Sequence, residues 1–272
     1  MGLLDRGVEY KLPDQIDGMR KAGLVVSRTL ELLRATVRAG ISTAELDAVA
    51  EDSIRSGGAT PSFLGYHGFP ASICASVNDE VVHGIPGDRV LADGDVISID
   101  CGAIVDGWHG DAAITVSVGT VADEVARLME VTEESLWRGI AAARLGGRVT
   151  DISHAVESYD RAAGPYGILE DYVGHGIGSA MHQPPNVPNY GRPGRGPKLV
   201  QGLALAVEPM ITLGDPDTEV LEDDWTVVTA DGRWAAHFEH TFTLTPAGAW
   251  VLTALDGGEA RLASLGVPFG GR

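Results

Sequence analysis

The chain has 272 residues, a length that allows one large domain or two modest ones. It is 44% hydrophobic and 21% charged, so it can bury a sizeable core and does not have the composition of a disordered tail. With 20 Lys plus Arg against 38 Asp plus Glu, its formal net charge is −18, which excludes a broadly basic nucleic-acid binder. The only two cysteines are Cys74 and Cys101, so no disulfide framework holds the fold together.

The sequence shows no targeting signal. Asp5 and Arg6 stand where a signal peptide needs an apolar run, and Arg6 takes the place of the Ser or Thr of a myristoylation signal. No stretch approaches the roughly 18 apolar residues of a membrane span. We therefore expect a cytoplasmic location, with both thiols reduced.

The first half of the chain predicts two helices and then strands. Apolar residues recur at helical spacing over residues 15–38, and Ser42 with Glu45 predicts a capping box for a second helix that ends near Ser56. Strand-like runs follow at residues 72–77, 96–105 and 112–118. Asp106-Gly107 predicts the turn between the last two runs.

The second half repeats this order of elements. It predicts helices over residues 122–144 and from Thr150 to Ala163, and then strands at residues 172–174, 203–212, 224–228 and 235–244. Two such halves, about 15–120 and 121–250, predict an α+β fold in which the sheets pack together with all four helices on one side. Two domains in tandem are the alternative, although no linker near Thr120 favours them.

A proline-rich segment, residues 183–198, is predicted to be a loop. It contains five prolines and carries Arg192, Arg195 and Lys198 without any acidic residue. Such a segment is more typical of a solvated loop than of a binding patch.

Two acidic residues interrupt strand patterns in the first half. Asp100 lies inside the apolar run 96–102, where an unpaired carboxylate is costly to bury unless it binds a metal. Asp111 follows eleven residues later, and the Asp106-Gly107 turn would fold both acids into one hairpin. Each acid taken alone is more often a capping or loop residue.

The second half supplies matching groups. Glu208 ends an apolar strand, Glu239 lies between Phe238 and His240, and His175 lies among glycines that let the backbone approach a site closely. Carboxylate-rich ligation suits manganese, ferrous iron or cobalt. The four carboxylates and one imidazole exceed one ion's usual protein ligands, which makes two ions about 3.5–4 Å apart plausible. Spacing alone leaves a metal site and separate structural roles equally open.

Seven motifs in a fixed order carry a family resemblance. The sequence resembles the type I methionine aminopeptidases of the pita-bread metallopeptidase superfamily, the M24 family, over about residues 16–245. The matching segments are residues 65–70, 77–86, Asp100 and Asp111 at their eleven-residue spacing, 175–178 with His182, 208–210 and 239–241. The resemblance implies a single catalytic domain over residues 1–272, with helices outside a curved antiparallel sheet.

The resemblance also implies a catalytic centre. Two divalent ions, such as Mn, Co or Fe(II), would be held by Asp100, Asp111, His175, Glu208 and Glu239. Asp111 and Glu239 would bridge the ions, Asp100 would bind one ion, and His175 with Glu208 would bind the other.

Three residues would assist the chemistry around these ions. Glu208 would also move a proton from the nucleophilic water to the leaving amine. His83 would contact the scissile amide, and His182 would stabilise the oxyanion.

An apolar slot for one unbranched thioether side chain is the implied source of specificity. Its lining would be Phe63, Tyr66, Phe69, Cys74, Met181 and Trp225. The sequence departs from the family pattern at three positions: Met181 stands where many relatives have an aromatic residue, Phe63 where some have cysteine, and His237 where glutamine is frequent. These departures leave pocket shape and metal preference open.

The implied activity is removal of the initiator methionine from nascent chains whose second residue is small. We expect a monomer with peptide substrates and neither a nucleic-acid substrate nor a membrane, and with a ribosome contact possible at the basic proline-rich segment. A proline-directed aminopeptidase of the same fold is one alternative, but such enzymes generally carry an extra N-terminal domain, for which this sequence leaves no room. A metal-free binding module is the other, and the intact ligand positions argue against it.

Overall fold

The computed structural model describes residues 7–271. The first six residues, on which the prediction about targeting signals rests, lie outside this range. Within it, no helix combines the length and the apolar character needed to cross a membrane.

The four predicted helices are present, with small shifts at their ends. They are α1 (Pro13–Thr36), α2 (Thr43–Ser56), α3 (Asp123–Ala142) and α4 (Val149–Ala163), and a short α5 (Glu259–Ser264) was not predicted. The capping box of α2 is confirmed, because the Ser42 hydroxyl accepts from the Glu45 N–H and the Glu45 carboxylate accepts from the Ser42 N–H.

Fifteen strands are formed within the described residues. They are β1 (Thr60–Pro61), β2 (Ile73–Val77), β3 (Glu80–Val82), β4 (Val96–Val105), β5 (Trp108–Ser117), β6 (Gly167–Ile168), β7 (Gly174–Gly176), β8 (Gln183–Val187), β9 (Ala204–Val207), β10 (Met210–Thr212), β11 (Thr218–Val220), β12 (Val227–Thr229), β13 (Ala235–His237), β14 (Glu239–Thr245) and β15 (Gly248–Val251). Nine of them form one antiparallel sheet in the order β1-β4-β5-β14-β9-β7-β8, with β2 beside β4 and β15 beside β14.

The β4–β5 hairpin is confirmed, together with its turn. Asp106 and Gly107 both have positive φ angles, 52° and 82°, as a tight two-residue hairpin turn requires. The two strands pair over their whole length, and β5 pairs in turn with β14. One sheet therefore contains strands from before and after residue 120.

The helices bury one face against this sheet. Val26, Leu30 and Leu33 of α1 belong to the largest hydrophobic cluster, together with residues of β4, β5 and β14, and α3 adds Leu136 and Ile140. This packing of helices on an antiparallel sheet confirms the α+β prediction.

Several strand predictions were wrong in detail. Residues 203–212 form two strands, β9 and β10, because Pro209 offers no N–H to continue the ladder. Residues 235–244 likewise separate into β13 and β14 at Phe238. The strand predicted at residues 172–174 starts only at Gly174, and 224–228 shifts to Val227–Thr229.

The predicted loop over residues 183–198 was wrong at its start. Gln183–Val187 is strand β8, which pairs with β7. Its two prolines conceal it in the sequence, but β8 lies at the end of the sheet, where a strand tolerates missing N–H donors. The rest of the segment is irregular, and Arg192, Arg195 and Lys198 are exposed there, as predicted for a solvated loop.

Candidate active site

The β4–β5 hairpin brings the two aspartates together. Asp100 pairs with Ala113, and Asp111 pairs with Gly102, so the acids lie two rungs apart on adjacent strands. A Cβ at Gly102 would approach Ser62 and Phe63 closely, so glycine lets the segment before β2 pack on the hairpin. Asp111 is buried, and its N–H donates to the Thr241 hydroxyl.

Strands β14, β9 and β7 bring the other three groups to the same place. Glu239 is opposite Ala113 of β5, Glu208 follows directly after β9, and His175 is the central residue of β7. His175 Nδ1–H donates to the Gly176 carbonyl at 3.0 Å, which leaves Nε2 free as a ligand atom. That Nε2 lies 3.5 Å from Glu208 Oε1.

This cluster has the chemistry of a cation site. Among the described residues, Asp100 Oδ1, Asp111 Oδ1 and Glu239 Oε1 are buried and have no hydrogen-bond partner. Ligand atoms of Asp111, His175 and Glu239 lie within 4.8 Å of one another. Buried oxygens without partners are costly, and a divalent cation would satisfy them, so the residues present fit the metal that the sequence analysis expects.

Burial also perturbs the protonation of these carboxylates. Desolvation raises the pKa of Asp100 to about 7. It likewise raises the pKa of Asp111, Glu208 and Glu239, and repulsion from neighbouring carboxylates adds to the effect. Four acids held this close cannot all be ionised without a positive partner.

An apolar cavity of about 190 Å³ opens beside the carboxylates. All six residues of the predicted thioether slot line it: Phe63, Tyr66, Phe69, Cys74, Met181 and Trp225. The Phe69 and Trp225 rings pack edge to face with centroids 5.1 Å apart, which gives one wall a defined shape. The same cavity contacts Asp100, Asp111 and Glu239, so a bound side chain would enter next to the cluster.

Two predicted histidines line this cavity as well. The Tyr66 hydroxyl is 2.9 Å from His182 Nδ1, and the His182 ring lies 4.2 Å from the His175 ring, centroid to centroid. Burial lowers the pKa of His83 to about 4 and also lowers the pKa of His182. Both imidazoles are therefore neutral at neutral pH, and each has one N–H to donate.

Two further residues, His67 and His237, lie at the site, and no role for either was predicted from the sequence. His67 lines the cavity from a short turn in which its φ is +48°, and its motif, Gly65 to Pro70, was the only signal for it. His237 offers a ring nitrogen within 4.8 Å of ligand atoms of Glu208 and Glu239. From the sequence, His237 was seen to stand where glutamine is frequent in the family, but no role could be assigned to it.

Fold and site together define a metal-dependent hydrolase, and comparisons identify its family. The profile of metallopeptidase family M24 matches residues 17–246, and the chain belongs to that family. Methionine aminopeptidase 1 of Mycobacterium tuberculosis is 55% identical over 91% of this chain and 96% of the relative. A methionine aminopeptidase of Clostridium acetobutylicum is 52% identical over 89% of this chain and 97% of the relative.

Solved structures agree with this membership. The crystal structure of methionine aminopeptidase from Thermotoga maritima superposes with a TM-score of 0.89 at 40% identity and covers 91% of this chain and 99% of that one. A prolidase from Pyrococcus furiosus, 21% identical with a TM-score of 0.72, shares the fold and covers 90% of this chain and 65% of its own. The predicted pita-bread fold is thus confirmed.

Proposed function

We propose that this M24 metallopeptidase is a methionine aminopeptidase that removes N-terminal methionine when the second residue is small. One observation carries the proposal: a group of carboxylates and an imidazole lines an apolar cavity, and three buried oxygens of this group have no hydrogen-bond partner among the described residues. The names of the relatives that match nearly the whole chain support the same activity.

The metal centre is proposed to hold two divalent ions. Asp111 and Glu239 would bridge them, Asp100 would bind one, and His175 with Glu208 would bind the other. The oxygen-rich set of donors favours Mn, Co or Fe(II). When bound, such ions lower the pKa of water and polarise a carbonyl.

The chain's own residues would move the proton and bind the substrate. Glu208 lies beside His175 with 12% of its side chain exposed and lines the cavity, so it can carry a proton from water to the leaving amine. His182 would donate an N–H to the developing oxyanion, and its contact with the Tyr66 hydroxyl supports this role by orienting the ring. His83 lines the same cavity with its ring edge-on to Trp225, and it would contact the scissile amide.

The cavity supports selection of methionine. Phe63, Phe69, Cys74 and Met181 are all buried and surround an apolar space that suits one unbranched side chain. The carboxylates that line the cavity would hold the cations that fix where the peptide carbonyl lies. A bulky second residue would crowd that carbonyl, which is why a small one is expected.

Wider features of the enzyme are also part of the proposal. We propose one catalytic unit over the chain, with halves of about 15–120 and 121–250, because β5 of one half pairs with β14 of the other. It would act in the cytoplasm as a monomer on nascent chains. The exposed Arg192, Arg195 and Lys198 form a candidate ribosome contact, and hydrogen bonds from Gly194 to Asp151 and from Arg195 to Thr150 fix that loop on α4.

Peptide hydrolysis by metal-stripped protein tests the activity. We would supply manganese, cobalt or ferrous iron and follow Met-Ala-Ser, Met-Leu-Ser, Leu-Ala-Ser and an Xaa-Pro peptide. The expected result is metal-dependent release of methionine from Met-Ala-Ser, with much slower cleavage of Met-Leu-Ser and Leu-Ala-Ser and none of the Xaa-Pro peptide. Cleavage of the Xaa-Pro peptide would reassign the chain to the proline-directed enzymes, and metal-independent or absent methionine release would refute the proposal.

A further inference from the structure

His237 is a buried histidine that lies beside the carboxylate cluster. It ends β13, opposite Met210 of β10, and it is 1% exposed. Thr115 of β5 fixes its backbone twice, because its hydroxyl donates to the His237 carbonyl at 2.8 Å and accepts from the His237 N–H at 2.9 Å. The imidazole therefore has a defined place in the core.

Within residues 7–271, one ring nitrogen of His237 lacks the hydrogen-bond partner that a buried imidazole nitrogen normally has. Its Nε2 is buried and has no hydrogen-bond partner among the described residues. A buried ring nitrogen without a partner is costly, so its place in a core needs an explanation. The neighbouring His240 shows the ordinary arrangement, since its Nδ1 lies 2.9 Å from the Thr253 hydroxyl.

Glu239 links His237 to the cluster already described. A ring nitrogen of His237 and carboxylate oxygens of Glu208 and Glu239 lie within 4.8 Å of one another. Glu239 also belongs to a second group of ligand atoms, together with Asp111 and His175. The structure thus contains two groups that share Glu239, and each consists of one imidazole and two carboxylates.

We propose that His237 is a metal ligand, in addition to the five residues named by the family resemblance. This inference rests on the proposed metal centre and concerns which side chains complete it. A carboxylate pair plus an imidazole is a donor set that binds divalent transition ions, so His237 would join Glu208 and Glu239 in holding one of the two ions.

An added imidazole changes which metals the site prefers. Imidazole nitrogen is a softer donor than carboxylate oxygen, and it favours cobalt, nickel and zinc over manganese. Glutamine, which is frequent at this position in the family that the sequence resembles, offers only a weaker amide donor. We therefore expect this chain to discriminate more strongly against manganese than its His237→Gln variant does.

Proton NMR of the cobalt(II)-loaded protein tests the proposal directly. A histidine bound to cobalt(II) gives a strongly shifted, exchangeable ring N–H resonance, so the spectrum counts bound imidazoles. We expect two such resonances in the wild type and one in His237→Gln. We also expect cobalt affinity, measured by chelator competition, to fall at least tenfold in His237→Gln, and manganese affinity to fall less than threefold.

His240→Gln is the matched control. His240 is one residue beyond Glu239, but its ring packs against Trp137 and lines a different cavity, so its variant should keep both resonances and both affinities. A wild-type spectrum with one resonance that persists in His237→Gln would overturn the proposal, whatever the methionine assay shows. A wild type that binds no cobalt would refute the metal centre itself. Circular dichroism checks that both variants are folded.

Discussion

The Glu9 carboxylate accepts hydrogen bonds from the Ser179 N–H at 3.0 Å and from the Ser179 hydroxyl at 2.7 Å, across 170 residues of sequence. Gln183 donates to the same carboxylate at 2.9 Å, and Lys11 donates to Gln183 at 3.3 Å. The segment before α1 therefore holds both ends of the loop that carries Met181 and His182. These are the loop residues to which we assign substrate binding and oxyanion stabilisation.

Removing this clamp should impair catalysis without emptying the metal centre. In Glu9→Ala the loop loses three hydrogen bonds to one carboxylate, and small displacements of His182 are costly to the transition state. We expect kcat/KM for Met-Ala-Ser to fall about tenfold, with an unchanged metal content. Steady-state kinetics and metal analysis check this.

Glu31→Ala is the control for Glu9→Ala. Glu31 is an exposed acid of α1 whose ion pair within residues 7–271 is with Arg34 on its own helix, so its loss alters the net charge equally and leaves the loop in place. Equal activity of the two variants would show that the clamp does not position His182.

Replacing Glu208 by glutamine should abolish turnover in a folded protein. The amide keeps the shape of the side chain but cannot take up and release the proton, so we expect kcat to fall about 10³-fold. Steady-state kinetics with Met-Ala-Ser at saturating metal measure the loss, and thermal unfolding reports on the fold. Retention of more than a tenth of the activity would mean that another group carries the proton.

Local sequence signals predicted much of the fold. Ser42 with Glu45 predicted where α2 begins, and Asp106-Gly107 predicted the hairpin that unites Asp100 and Asp111, because caps and tight turns depend on neighbouring residues. The order of the motifs predicted the site because it reflects a whole family. Strand breaks such as that at Pro209 were missed, because the apolar pattern that predicts a strand continues on both sides of the break.

Relationships between distant residues could not be predicted in this way. Nothing in the sequence near Glu9 shows that it binds Ser179, and nothing near His237 shows that its Nε2 has no hydrogen-bond partner among the described residues. Both facts follow from how the sheet brings together segments far apart in the chain. The contacts of Glu9 and His237 at this site can therefore be recognised only from the three-dimensional structure.

A buried acid far from the site should make stability depend on pH. Asp160 of α4 is 0% exposed, and neither carboxylate oxygen has a hydrogen-bond partner among the described residues. Burial raises its pKa from 3.8 to about 8. Between these values the native state holds a proton that the unfolded chain has released, so this acid lowers the stability progressively as pH rises to 8.

Asp160→Asn removes that titration. We expect the variant to gain stability relative to the wild type between pH 5 and pH 8, by on the order of 3 kcal/mol over that interval. Urea unfolding of both proteins at pH 5 and at pH 8 measures how the difference in their free energies of unfolding changes with pH. A gap between the two proteins that stays constant with pH would show that Asp160 is ionised in the native state.

Shortening a side chain in the apolar cavity should weaken selection of methionine. Met181 is 3% exposed and packs with Phe63, Phe69 and Cys74, so Met181→Ala would enlarge the slot and remove contacts from the substrate side chain. A loss of about 1–3 kcal/mol in pocket contacts corresponds to a fall in kcat/KM of roughly tenfold or more. Cleavage of Leu-Ala-Ser, which the larger slot admits better, should slow less than cleavage of Met-Ala-Ser, so the ratio of the two rates reports on the pocket.

Met129→Ala is the control, because it makes the same change on α3, in a cluster outside the cavity, and should alter neither rate. If Met181→Ala lowered both rates equally, Met181 would act by holding the loop rather than by shaping the slot.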